Sequence, residues 1–337
     1  MKKLVLGLLV SSVASVAGAQ SLDNPSGTVR LSGTQLKNGS ETVNAPRAEL
    51  GARYNYDAWR VEGALDVYNF NGTGSGIFYG RSATSYAITN EFRVGGYFEG
   101  LGQRSSDDAT SYNVSFGVLG SYEDFGLSYT LRAGRVAFWD RNRFRNRDTG
   151  WELSSVGEYA SHEITSIIGT TSYARVDDER IFITGLGAAQ QLTEDLSVSG
   201  FLRHARLRDE DGRERINDGN IGMSYALDAT TGLPVTLHAD LGVIRGSDIR
   251  TRTTAQFGLG ARLDAGDQPI DLSIAASRSR ASSENSTRRV ELAVAVPFGR
   301  DTGSSNAAYQ SPFDEFRNAT SPLSYIRDLG APNGLAR

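Results

Sequence analysis

Large apolar side chains alternate with small or charged ones along most of this chain. Val290, Leu292, Val294, Val296 and Phe298 stand against Arg289, Glu291, Ala293, Ala295 and Pro297. In a strand the two sets fall on opposite faces. The same period of two sets Trp59, Val61, Leu65 and Val67 against Arg60, Glu62, Ala64 and Asp66, and Phe92, Val94 and Phe98 against Arg93, Tyr97 and Glu99. It returns at Val235 to Val243 and at Ala255 to Leu263. Segments of roughly ten to thirteen such residues recur from about residue 27 to 299.

Tight connections are expected at Asp57-Ala58, Glu123-Asp124, Ser161-His162 and Glu194-Asp195, and near Thr89-Asn90, with slightly longer ones at 228–232 and 265–268. Between them lie polar, often longer segments: 37–45, 71–75, 103–109, 140–148, 175–179, 208–214, 247–251 and 282–287. The pattern predicts an all-β fold: a transmembrane antiparallel β-barrel of about sixteen strands, with short periplasmic turns and longer outward loops. Fourteen strands result if the first strand or the 76–88 segment is not one. An exported soluble sandwich or β-helix is the competing architecture, but it rarely runs to this many hairpins in one sheet. Aromatics at segment ends (Tyr54, Tyr56, Trp59, Tyr122, Phe125, Trp139, Trp151, Tyr159) suit interfacial girdles.

Composition alters this picture little. A hydrophobic share of 39% and a mean hydropathy of −0.34 look soluble, yet alternating strands dilute their lipid-facing residues with lumen-facing ones. Residues 1–19 read as a signal peptide: Lys2 and Lys3, an apolar run from Leu4 to Val10, and Ala17-Gly18-Ala19 before Gln20. Residues 20–299 form the barrel and 300–337 a tail. Losing Lys2 and Lys3 takes the formal charge from −4 to −6, which argues against nucleic acid as a partner. There is no cysteine, hence no disulfide framework and no thiolate site.

After Phe298 the alternation stops. Ser311-Pro312 followed by Asp314, and Ser321-Pro322, have the form of an N-cap with proline at the first helical position, and Gly330 suits a C-cap. Two short helical turns carrying Phe313, Phe316, Tyr325 and Ile326 are the expectation. A disordered periplasmic tail, a segment docked in the barrel mouth or lumen, and a partner-binding tail all stay open.

On these features residues 20–299 resemble the general porins of Gram-negative bacteria, especially those of alphaproteobacteria. The likeness lies in the signal peptide, the strand alternation, the short turns and a last strand ending in an aromatic. It implies a homotrimer in the outer membrane, surrounded by lipid and lipopolysaccharide and inserted by the machinery that reads the terminal aromatic. Such a channel passes small hydrophilic solutes by passive diffusion, with no cofactor and no reaction. Two departures stand out. About forty residues follow Phe298, whereas porins stop there. The third loop, which folds inward in porins, is here the short 103–109 segment.

With apolar residues facing lipid, Arg30, Arg47, Glu49, Arg53, Arg60, Glu62, Asp66, Arg93, Glu99, Arg132, Arg262 and Glu291 line the lumen. Mixed charges there set up a transverse field that selects against apolar solutes. Arg47, Arg53, Arg60 and Arg93 lie in neighbouring hairpins and are expected to form a basic patch near the constriction. The bland alternative is that lumen arginines pair with carboxylates. Arg141, Arg143, Arg145 and Arg147 alternate in one loop and suit lipopolysaccharide phosphate or another anion; a solvated loop and an inward fold are the alternatives. Asp209-Glu210-Asp211-Gly212 lacks the spacing of a calcium loop. The three histidines, His162, His204 and His238, form no catalytic motif, and His238 with Asp240 is the one suggestive pair. A substrate-specific channel, a non-transporting structural or adhesive barrel and, last, an outer-membrane enzyme are the other readings.

Overall fold

A computed structural model describes residues 25–71, 74–104, 110–140, 148–161, 165–208, 212–227, 234–247, 251–265, 268–281, 286–299 and 308–330. The strands are β1 (Pro25–Asn38), β2 (Glu41–Tyr56), β3 (Trp59–Asn69), β4 (Gly76–Ala87), β5 (Phe92–Arg104), β6 (Thr110–Asp124), β7 (Leu127–Asp140) and β8 (Asp148–Ser161). They continue as β9 (Thr165–Val176), β10 (Glu179–Gln191), β11 (Leu196–Arg208), β12 (Arg213–Ala226), β13 (Val235–Gly246), β14 (Arg252–Ala265), β15 (Gln268–Ala281) and β16 (Thr287–Phe298). Each pairs antiparallel with the next, and β1 pairs with β16 from Gly27–Phe298 to Asn38–Thr287. The sheet is therefore a closed barrel of sixteen strands. Closure removes every unpaired edge, which the interior of a bilayer requires.

The turn near Thr89-Asn90 exists and decides for sixteen strands over fourteen. Ile88 and Thr89 donate to the Phe92 carbonyl at 2.9 and 3.2 Å, and the Thr89 hydroxyl accepts from the Phe92 amide at 3.1 Å. The turn expected at Glu123-Asp124 instead falls at Phe125-Gly126, with φ of 44° and 80°. A two-residue hairpin of this hand needs positive φ at both central positions. Gly126 adopts it freely, and a Cβ there would lie 2.2 Å from the Ala160 carbonyl oxygen. The arginine loop 141–147, Asp209-Glu210-Asp211, His162, the signal segment and most of 103–109 lie outside the described residues.

The outward face is apolar around the whole circumference. Val118, Leu186, Leu202, Ile221, Leu241, Phe257 and Leu292 are all more than half exposed. A soluble protein rarely leaves contiguous apolar patches above a few hundred Å², so this belt faces lipid and the barrel spans a membrane. No helix among the described residues is long and apolar enough to cross one.

The inward face has two zones. Toward the end where β16 finishes it carries charged and hydroxyl side chains. Toward the opposite, long-loop end it carries Tyr68, Ile77, Tyr79, Val136, Val176, Ile183 and Ile216, all buried. A water-filled lumen would not keep such residues buried. What buries them is the chain itself: residues 308–330 lie inside the barrel, as helices α1 (Pro312–Asn318) and α2 (Pro322–Gly330). Ser311 caps α1, its hydroxyl accepting from the Asp314 amide while the Asp314 carboxylate accepts from the Ser311 amide. Leu323 packs on Val136, Ala174 and Val176. Tyr325 packs on Ile183, Ala205 and Ile216, and Ile326 reaches the cluster of Tyr68, Phe70, Ile77 and Tyr79.

Candidate functional site

The lumen is the one space where the barrel could act on a solute, and its chemistry follows from strand register. Every second residue points inward, so adjacent strands bring complementary charges side by side. Arg30 on β1 sits at the closure seam and is paired with Glu49 on β2 at 2.5 Å and with Glu291 on β16. Its Nε donates to the carbonyl of Ala308 in the tail at 2.8 Å. Arg47 makes two hydrogen bonds to Asp66, 2.9 and 2.8 Å, and a third to Gln310 at 3.1 Å. Gln310 returns a hydrogen bond to Glu49 at 3.1 Å. Arg30, Arg47, Glu49, Asp66 and Glu291 thus meet in one network, closed by a residue of the tail.

Nearer the short-turn mouth Arg53 pairs with Glu62 at 2.9 Å and Arg60 with Glu123 at 2.6 Å. Arg93 donates to the Ala58 carbonyl at 2.7 Å and to Ser85 at 3.3 Å. Arg47, Arg53 and Arg60 each face a carboxylate, so this wall alternates in sign rather than carrying a surplus of positive charge. Arg262 is bound to Asp271 at 2.8 and 3.0 Å, away from the other clusters. Glu99 accepts from the Tyr79 hydroxyl at 2.7 Å and from the Ser321 hydroxyl, with Arg132 4.0 Å away.

The tail is held by contacts that the barrel wall is shaped to make. Tyr309 donates to Asp240 at 2.6 Å, accepts from Gln256 at 3.0 Å and stacks on His238 with ring centroids 3.8 Å apart. His238 and Asp240 therefore both hold the tail, and burial raises the Tyr309 hydroxyl above the usual phenol range. Phe316 stacks on Phe201 at 4.6 Å. Opposite these rings the wall is glycine. A Cβ on Gly185 or Gly187 would lie 2.6 or 2.7 Å from the Phe316 ring, and one on Gly258 would lie 2.3 Å from Tyr309. Real Cβ atoms do not approach that closely, so only glycine leaves room for the docked aromatics.

Helix α2 then spans the bore. Arg327 lies 3.7 Å from Asp66 on β3, and Asp328 lies 3.8 Å from Arg203 on β11. These strands are eight places apart in a ring of sixteen, on diametrically opposite walls. Arg327 also lies over the Tyr79 ring at 4.6 Å and Arg203 over Tyr325 at 4.6 Å. Burial alone would lower the Arg327 pKa, and Asp328, Tyr79 and Asp66 reverse that. Glu315 on α1 is pushed above the ordinary carboxylate range by burial, against the pull of Arg289 and Arg47.

Sequence reasoning named Arg30, Arg47, Glu49, Asp66, Glu99, Arg132 and Glu291 but not their tail partners Gln310, Ser321 and Arg327. It also passed over the strand residues Tyr79, Arg289, Arg203 and Asp218, the last two paired across β11 and β12 at 2.6 Å. The inward register that selected the first set would select these four as well.

Between the tail and the short-turn mouth lies a chamber of about 490 Å³, lined by Arg53, Glu62, Arg81, Thr130, Arg132, Ser154, Glu158 and, from the tail, Arg317, Asn318 and Thr320. It shares Thr28, Gly51, Ala64, Arg81 and Asn318 with a second cavity of about 270 Å³ that reaches Asp66, Tyr79 and Arg327.

No protein-family model and no curated protein matches the chain. Among solved structures the barrel is similar to CdiB from Acinetobacter baumannii, with a TM-score of 0.55 and 10% identity, covering 81% of this chain and 60% of that one. The chain thus spans less than two thirds of CdiB. It is also similar to a bacterial polysaccharide outer membrane secretin (TM-score 0.49, 12% identity, 81% of this chain and 98% of that one). A mutant of the Rh. blastica porin aligns with a TM-score of 0.42 and 13% identity, over 82% of this chain and 99% of that one. At these identities the likeness is one of fold, that of closed outer-membrane barrels.

Proposed function

We propose that this protein is a passive diffusion channel for small hydrophilic solutes in the outer membrane, its bore set by the tail segment 308–330. The observation that carries the reading is a closed barrel, apolar outside, whose inward face holds ion pairs and hydrated-scale cavities on the short-turn side. A lumen of paired charges orders water and favours polar solutes. In this reading residues 1–19 are removed on export, the short turns face the periplasm, and α2 occupies the outward half of the bore. Passage then requires α2 to shift, and the docked state is the low-conductance one. Arg141, Arg143, Arg145 and Arg147 would meet lipopolysaccharide phosphates at the outer rim. The reading involves no chemical step.

Planar-bilayer recording tests it. The full chain should conduct in small or infrequent steps, and the chain lacking 301–337 in larger, steady ones. A second reading, a non-transporting barrel, is favoured by the tail's filling of the lumen. It predicts no conductance from either protein, which would end the channel reading.

A homotrimer belongs to the same proposal. Up to Tyr159 the short-turn rim carries exposed aromatics (Tyr54, Tyr56, Trp59, Tyr122, Tyr159), while beyond it the one exposed aromatic among the described residues is Phe257. A wall without an interfacial girdle suits contact with another subunit better than lipid. Cysteines introduced at Leu202 and Leu241 should cross-link subunits, and a purely monomeric product would reject this face.

A further inference from the structure

Apart from Arg93, which the Ala58 carbonyl and Ser85 hold, most lumen arginines are committed to carboxylates. Arg81 and Arg132 are not. Among the described residues Arg81 has no carboxylate within 4.0 Å, and its side chain only approaches the Asn318 carbonyl at 3.5 Å. Arg132 has Glu99 at 4.0 Å, beyond hydrogen-bond reach, and lies over the Tyr97 ring at 5.5 Å. Both line the 490 Å³ chamber beneath the tail. Ser154, the register partner of Arg132 on β8, lines it too, and its hydroxyl is buried without a hydrogen-bond partner among the described residues.

Two of the three carboxylates around this space are paired with arginine, and the third is half engaged. Glu62 is paired with Arg53 and Glu158 with Arg317 at 2.7 Å. Glu99 accepts from Tyr79 and Ser321 through Oε1, while its Oε2, 4.0 Å from Arg132, has no hydrogen bond among the described residues. Four arginines therefore face three glutamates, which leaves the lining with one positive charge in excess. A buried hydroxyl left unmatched and two guanidiniums with donors to spare cost free energy that a suitable ligand would recover.

We infer that the chamber is a binding site for a small oxyanion, a carboxylate or phosphate held by Arg81 and Arg132 with Ser154 as a hydroxyl donor. The volume falls in the range that holds small organic ligands. The site is built jointly by the wall and the tail, since Arg317, Asn318 and Thr320 form its roof. Its ligand therefore binds the docked state preferentially and holds the tail in place, by the reciprocity of linked equilibria. The inference rests on the docked tail and stands whether or not the barrel conducts.

The test is equilibrium dialysis of the detergent-solubilised full chain against inorganic phosphate and, separately, succinate. At least one probe should bind saturably at one site per chain. The R81Q and R132Q variants should each weaken it about tenfold, and removal of 301–337 should abolish it. Arg175→Gln, an exposed arginine at the long-loop end, should leave it unchanged. Should the glutamine variants fold poorly, Arg81→Lys and Arg132→Lys keep the charge and should weaken binding less. Preference for phosphate or for succinate tells which oxyanion the geometry suits. Absence of saturable binding by either probe overturns the inference, as does undiminished binding in the R81Q/R132Q double variant or in the tail-deleted chain.

Discussion

Replacing Phe316 by alanine should loosen the tail while sparing the barrel. The ring is 1% exposed, stacked on Phe201 at 4.6 Å with planes 3° apart, and seated over the bare backbone of Gly185 and Gly187. Removing a buried phenylalanine costs roughly 3–5 kcal/mol where the surroundings cannot collapse. A closed sheet of sixteen strands cannot contract around the gap. At about 1.4 kcal/mol per decade, the lower figure raises the undocked fraction roughly a hundredfold.

Arg317 and Arg327 supply the assay, since trypsin reaches them only when the tail leaves the lumen. In lipid-reconstituted protein, cleavage of Phe316→Ala should be faster by about that factor if opening is at equilibrium. The thermal transition of the strands should not move. Gly185→Ala attacks the same seat from the other side, because its methyl would fall 2.6 Å from the Phe316 ring. Overpacking of this kind costs about 1–3 kcal/mol. The double variant is the sharper measurement: the new methyl occupies space the ring has left, so the two effects should be clearly less than additive. Additive effects, or unchanged proteolysis in Phe316→Ala, would refute the seat.

Further outcomes follow from the same contacts. Arg327→Gln removes one anchor of the strut across the bore and leaves Asp66 to Arg47 alone, so tryptic cleavage after Arg317 should rise. Glu315 is raised by burial when docked, so the docked state holds the proton more tightly than the free tail. From this group, docking should weaken as pH climbs from the ordinary carboxylate value near 4.3 through the raised one. Arg289 and Arg47 attract the Glu315 carboxylate while Glu291 and Asp328 repel it, so the test is the difference between wild type and Glu315→Gln. The variant should dock more firmly near neutrality, and identical proteolysis profiles would reject the role. In the chain lacking 301–337, Arg53→Gln and Arg60→Gln leave Glu62 and Glu123 without their partners at the mouth. The reversal potential should then shift toward cations.

The barrel was legible because a membrane strand must satisfy two solvents at once, and only strict alternation does so. Val290 to Phe298 shows this over one strand and fixes its register against β1 and β15. The turn at Phe125-Gly126 was misplaced by two residues because the charged pair Glu123-Asp124 reads as a turn, whereas the handedness of the hairpin selects a glycine. The seat of the tail left a quieter trace, and in the wall rather than in the tail. Tyr68, Tyr79, Ile183 and Ile216 occupy inward positions of β3, β4, β10 and β12, where a wet lumen would call for polar side chains. Gly185, Gly187 and Gly258 are also inward, and an isolated glycine in a strand marks a close approach. Alternation scored by hydrophobicity alone passes over both signals. It credits a large apolar residue to the lipid face and treats glycine as neutral.

A wall shaped in this way links the two halves of the lumen energetically. With the tail withdrawn, the apolar ring near the long-loop end is wetted and the oxyanion chamber loses its roof. A ligand of the chamber and the aromatic seat therefore stabilise the same docked state, and one should offset damage to the other. Phosphate or succinate, whichever binds, at a hundred times its Kd adds about 2.7 kcal/mol to the docked state if it has no affinity for the undocked one. That nearly matches the lower figure for Phe316→Ala. Tryptic cleavage of Phe316→Ala should thus return close to the wild-type rate under saturating ligand, and it should not do so in Phe316→Ala combined with R81Q and R132Q. Rescue that persists without the two arginines would place the effect of the anion elsewhere. An absence of rescue where binding is intact would mean that the ligand does not distinguish the docked tail from the free one.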